Sequence, residues 1–160
     1  MRIILKVLNK SSNLLKNISA ISLTAMMFLT FVDVIGRKFG SPIFGSVEIV
    51  GFLAIITIAA ALPYTHKIDG HVGVEILVRL LPEKGQTVVT IVTQFLALIL
   101  FSLATWQMYL YAQDTLHSGE VSMNLGFPAY LLMYVVSFGL LIFSLTIIES
   151  IIINILKLRD

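Results

Sequence analysis

The chain has 160 residues, of which 58% are hydrophobic and only 12% charged, with a net charge of +2. A soluble domain carries about 25% charged residues, so the composition excludes an ordinary soluble domain and points to an integral membrane protein. The absence of cysteine excludes disulfides and thiolate metal sites.

The basic N-terminus comes first. In 1–16, Ile3, Ile4, Val7, Leu8, Leu14 and Leu15 share one helical side, while Arg2, Lys6 and Lys10 repeat every four residues on another. That pattern predicts an amphipathic helix lying on an anionic leaflet, with Arg2, Lys6 and Lys10 on lipid headgroups. A frayed tail whose lysines only set topology is the competing reading. An apolar run follows at 18–36. It ends in Asp33-Val-Ile-Gly-Arg37 without a small-x-small cleavage pattern, so an uncleaved first span is expected.

Three more runs follow at about 44–65, 86–112 and 128–155. A bilayer core of about 30 Å takes about 20 helical residues, and backbone groups in lipid must pair within their own element. Each run is therefore expected to be a transmembrane helix. A β-barrel would show strict apolar/polar alternation, which these runs lack. Pro63 is expected to kink or end the second helix, and Pro128 suits the first turn of the fourth. The last two runs would measure about 40 Å as helices and so call for tilt or protrusion. Between spans two and three, 69–84 reads as an interfacial helix, ending at Leu81-Pro82, with His71, Glu75 and Arg79 as a polar stripe at spacing four. It lies flat in the interface or packs against a partner helix. The fold class is thus all-α: one membrane domain over 1–160 with four spans and interfacial helices at 1–16 and 69–82.

Lys and Arg set the orientation. Nine of them (2, 6, 10, 16, 67, 79, 84, 157 and 159) lie on the side of the termini, and Arg37 and Lys38 on the other. The positive-inside rule then puts both termini in the cytoplasm. The 113–127 loop, with Asp114 and Glu120 but no base, falls outside.

The stretch "FVDVIGRKFGSPIFGSVEIV", 31–50, carries the charges that need explaining. Asp33 and Glu48 fall at nearly equal depth, about 11 Å from the turn between their helices. Arg37 follows Asp33 at the favoured i,i+4 spacing, which lets it stand between the two acids. An unpaired charge near hydrocarbon is costly, and pairing or snorkelling relieves it. Asp33, Arg37 and Glu48 are read as a cluster that ties helix 1 to helix 2 or docks a partner protein. The alternatives are bases that snorkel while the acids face water, and a proton or ion path through the acids.

Other features carry less. His66, His71 and His117 are not spaced to face one another, so no metal, haem or other cofactor is expected. No hydrolase, protease or phosphate-loop motif occurs, so no enzyme and no catalytic residue is expected. Glu149 lies near the inner end of helix 4, placed to meet a base or a partner. Trp106, Tyr109 and Tyr111 read as an interfacial belt. Gly36-x-x-x-Gly40 is spaced like a helix-packing motif.

The order of these features resembles the small membrane subunit, the Q or DctQ type, of tripartite ATP-independent periplasmic (TRAP) transporters. The resemblance rests on "DVIGRKFG", "SPIFGSVEIVGFL" and "KIDGHVGVEILVRLLPEKGQ" in sequence, with Arg37, Glu48, Asp69-Gly70-His71-Val72 and Leu81-Pro82 at the recurring positions. Phe44 stands near where family members often carry tryptophan. The resemblance implies a scaffold in a bacterial inner membrane that binds a large M-type transport subunit. An extracytoplasmic binding protein would deliver an organic anion, such as sialic acid or a C4-dicarboxylate, for sodium-driven uptake. Membrane lipids are the remaining partners, and no nucleic acid is expected. Two other classes stay open: a small self-sufficient transporter or channel using Asp33 and Glu48, and an anchor subunit of a redox complex.

Overall fold

The computed structural model describes residues 2–68 and 81–159, with the side chains of 2–7, Glu83 and 157–159 outside that description. His71, Glu75 and Arg79 therefore lie outside the described residues, as do the side chains of Arg2 and Lys6.

The described residues form four helices: α1 (Arg2–Lys38), α2 (Ser46–Lys67), α3 (Glu83–Ser118) and α4 (Ala129–Arg159). All four are long and apolar enough to cross a membrane. The helices are longer than the apolar runs, because nothing in the flanks stops them. No Gly or Pro interrupts 2–35, so the basic segment expected as a separate interfacial element continues into the first span as one helix of 37 residues. At 1.5 Å per residue it is about 55 Å long. Helix α3 runs past the expected limit at 112 and stops only where Gly119 takes up φ 70° and donates its N–H to the Thr115 carbonyl. The outer loop thus shrinks to 119–128. Helix α2 passes through Pro63 and ends at Lys67.

Helix α1 closes in a Schellman motif, in which the N–H groups just beyond the end turn back on the last carbonyls. Ser41 N–H bonds the Gly36 carbonyl at 2.8 Å, and Gly40 N–H bonds that of Arg37 at 3.2 Å. Gly40 supplies the positive φ of 76°. A side chain on Gly36 would meet the Ser41 oxygen at 2.5 Å. The Gly36/Gly40 pair therefore shapes the turn between α1 and α2.

The helices pack as a row in the order α1–α2–α4–α3, with α1 also touching α4. Helix α3 touches α4 but neither α1 nor α2 among the described residues. In the most apolar stretch of α4, 44% of the residues are buried, whereas in that of α3 none is. Helix α4 is thus interior, and α1 and α3 are edges with long uncovered apolar faces. Ile21, Phe28 and Phe31 on α1 and Val92, Leu96, Leu100 and Leu103 on α3 are all exposed.

In lipid the contacts between helices rest on close packing and hydrogen bonds rather than on hydrophobic gain. Small residues make the α2–α4 seam, where Ala59 and Ala60 meet Gly139 and Ile142. Leu15 of α1 joins Ala60 and Ile142 in a buried cluster. Ser19 Oγ donates to the Thr57 carbonyl at 2.9 Å and links α1 to α2. Gln94 Nε2 donates to Ser150 Oγ at 2.8 Å, Asn154 Nδ2 donates to Gln94 Oε1 at 3.1 Å, and Ser137 Oγ donates to the Thr105 carbonyl at 3.2 Å. These three bonds fasten α3 to α4 along their length.

Candidate functional site

The charged end of the row gathers the α1–α2 turn and the 119–128 loop. Long helical side chains lean back toward the helix N-terminus, and Arg37 accordingly reaches Asp33 one turn earlier. Its Nε donates to Asp33 Oδ2 at 2.8 Å. The other carboxylate oxygen, Oδ1, accepts the Ile43 backbone N–H at 2.9 Å. A terminal guanidinium nitrogen of Arg37 lies 3.4 Å from Ser46 Oγ, the first residue of α2. Asp33 is buried by this arrangement, while the Arg37 side chain stays 55% exposed. One acid and one base thus tie the end of α1, the turn and the start of α2 together.

Glu48 is not part of that group. No ion pair joins it to Arg37 among the described residues, which corrects the expectation of an arginine standing between two acids. Its carboxylate points the other way, to the loop between α3 and α4. Oε1 accepts the Asn124 backbone N–H at 2.7 Å and the Asn124 side-chain amide at 2.8 Å, and Oε2 accepts the Leu125 N–H at 3.0 Å. The rings of Phe52 and Phe127 lie 5.1 Å apart beside it. Leu125 lies over Gly45, where an added side chain would come within 2.6 Å of Leu125 Cδ2. Gly45 is needed twice, for that space and for its φ of 71° at the head of α2.

Asn124, Leu125 and Phe127 are the participants that sequence reasoning missed. The turn-forming Ser122, Asn124 and Gly126 marked a bend, but nothing local says which acid will meet its N–H groups. Asp114, His117 and Glu120 are exposed on the same side.

The opposite end is basic. Lys67 Nζ donates to Asn9 Oδ1, Lys16 Nζ stands 4.7 Å over the Tyr64 ring, and Lys10 is exposed. Among the described residues no three His, Asp or Glu side chains converge on a common point.

A family model described as "Tripartite ATP-independent periplasmic transporters, DctQ component" matches residues 26–156. The chain belongs to the DctQ family. The match takes in the Asp33–Arg37 pair, Glu48 and the loop that Glu48 holds, so this charged end is part of the DctQ component itself. A comparison with curated proteins found no match. The DctQ component is a multi-pass inner-membrane protein, which agrees with the four apolar helices. It is a transporter subunit and not a known enzyme family. TRAP transporters in general combine a DctQ component with a large M subunit and a periplasmic binding protein.

Proposed function

We propose that this DctQ component is the membrane scaffold of a sodium-driven TRAP transporter. It binds the large M-type subunit and supports uptake of an organic anion, a carboxylate such as sialic acid or a C4-dicarboxylate, which the binding protein delivers. Both termini lie in the cytoplasm, and the α1–α2 turn and the 119–128 loop face outward.

The observation that carries this reading is the open row. Two edge helices, α1 and α3, keep apolar faces uncovered along most of their length, and such faces can lie against a larger membrane body. Polar side chains along the helices fasten one helix to another, as Gln94, Ser137 and Ser150 do, or bond a carbonyl of their own helix, as Thr30, Thr57 and Thr146 do. Membrane transporters form midplane substrate sites from interrupted helices, and each of these four helices runs continuously. Asp33 and Glu48 each bind backbone N–H groups at one end of the row, which favours a structural use over an ion path.

Reconstitution tests the reading. Proteoliposomes that hold the large subunit, this chain and the loaded binding protein should take up substrate when sodium is high outside. Vesicles without this chain should not. Full uptake by the large subunit and binding protein alone would sink the scaffold reading, and uptake by this chain alone would favour a self-sufficient transporter.

A further inference from the structure

We propose that Glu48 is a positioning residue that latches the 119–128 loop to the start of α2 and so fixes the α3–α4 pair against the α1–α2 pair at this end of the row. The first support is what Glu48 forgoes. It stands three residues after the N-cap Gly45, where a capping-box glutamate turns back onto the cap's own N–H. Here both oxygens reach instead across 76 and 77 residues of sequence to Asn124 and Leu125. A carboxylate with three N–H donors makes charge-assisted bonds, which are about twice as strong as neutral ones.

The second support is that the captured loop is a closed unit. Ser122 N–H bonds the Phe127 carbonyl at 2.9 Å, Ala129 N–H bonds the Glu120 carbonyl at 3.1 Å, and Phe127 N–H bonds Ser122 Oγ at 3.1 Å. The loop runs directly into α3 at Gly119 and into α4 at Ala129. Holding its tip therefore holds the ends of both helices.

The third support is where the α2–α4 seam is tight. The buried residues of α2 are Ser46, Ala59, Ala60 and Pro63, so none lies between 47 and 58. On α4 none is buried before Ser137. The close contact of Ala59 with Gly139 lies about 16 Å along α2 from Glu48. Above it, residues 47–58 of α2 and 129–136 of α4 are at most half-buried. The Glu48 bonds, the Phe52–Phe127 contact and Leu125 over Gly45 span that less buried end. Without the carboxylate, the α3–α4 pair is free to swing about the Ala59–Gly139 contact.

The chain has no native cysteine, so spin labels can be placed at chosen pairs. Phe39→Cys and Met123→Cys, both at exposed positions, report the distance between the α1–α2 turn and the loop. Leu103→Cys and Phe138→Cys, also at exposed positions, report α3 against α4 as a control. The full chain, in nanodiscs, should give a narrow distribution for the first pair. Glu48→Ala should broaden it toward longer distances and leave the control pair unchanged. Glu48→Gln should fall between, since its amide oxygen still accepts from Asn124 while its NH2 opposes the Leu125 N–H. Asn124→Ala, which keeps both backbone donors, should do less than Glu48→Ala. An unchanged first distribution in Glu48→Ala, or a broadening that appears equally in the control pair of Glu48→Gln, overturns the proposal.

Discussion

Gly139 of α4 lies against Ala59 of α2 so closely that a methyl group added to it would stand 2.6 Å from the Ala59 carbonyl oxygen. That oxygen has a particular need for company. Its usual helical donor is the N–H four residues on, and that residue is Pro63, which has none. Glycine lets the α4 backbone close over this carbonyl. Gly139→Ala therefore forces the seam apart at the interior pair of the row. Overpacking of this kind costs about 1–3 kcal/mol. Thermal unfolding in detergent should show a clear drop in Tm for Gly139→Ala and almost none for Gly51→Ala, where an added methyl meets nothing within 4 Å. Equal Tm values for the two variants would contradict the tight seam.

The edge helix α3 should depend on its polar fastenings. It packs on α4 alone among the described residues, and Gln94 both donates to Ser150 and accepts from Asn154. Hydrogen bonds between membrane helices average about 0.6 kcal/mol and reach about 1.7. Gln94→Leu keeps the bulk and removes both bonds, and it should destabilise the chain by roughly 1 kcal/mol on that scale. Thr93→Val, at a neighbouring exposed position whose hydroxyl bonds only its own helix, should change little. The check is the Tm of each variant in the same detergent. Parity between them would mean that apolar packing alone holds α3.

Much of the row was legible in the amino-acid sequence, and the reason differs by feature. Apolar runs of membrane length give four helices because lipid leaves the backbone no other way to pair. The Asp33–Arg37 contact follows from i,i+4 spacing on one helix. Helix ends were harder to read, since a polar stretch such as 9–17 lowers hydropathy without breaking a helix, and only Gly119 or the Gly40 turn does so. Neighbour relations were not legible at all. Nothing local tells α3 to pack beyond α4, or Glu48 to choose Asn124 over Arg37, since both outcomes depend on how far the loop folds back. The same holds for Gly36 and Gly40, whose spacing fits a helix-packing motif as well as the turn they form.

The orientation of the row can be tested on this cysteine-free chain. With both termini inside, the 119–128 loop faces the periplasm. Met123 is 98% exposed at its tip. Met123→Cys should react with a membrane-impermeant maleimide in intact spheroplasts. Lys10→Cys and Lys84→Cys, at the opposite basic end, should react only after the membrane is opened. The reverse pattern would mean that the charged turn and loop face the cytoplasm, and the scaffold reading would need its outward face redrawn.

The Asp33–Arg37 pair should matter to assembly in a graded way. Removing the base leaves a buried carboxylate at the end of a membrane helix with the Ile43 N–H and the Ser46 hydroxyl as its remaining partners, and it also removes the Arg37 contact with Ser46 at the head of α2. Removing the acid's charge with Asp33→Asn keeps an oxygen for the Ile43 N–H and frees a guanidinium that is already half exposed. Uncompensated buried charge is the costlier outcome, so Arg37→Ala should do more harm than Asp33→Asn. Arg37→Lys should fall between. Lysine keeps the charge but lacks the planar fork that meets Asp33 and Ser46 at once. His117→Ala, on an exposed side chain outside this group, is the reference. Co-purification of each tagged variant with the large subunit should follow the order His117→Ala, Asp33→Asn, Arg37→Lys, Arg37→Ala, from greatest yield to least. Wild-type yield from Arg37→Ala would show that the pair shapes this chain's turn without bearing on the complex.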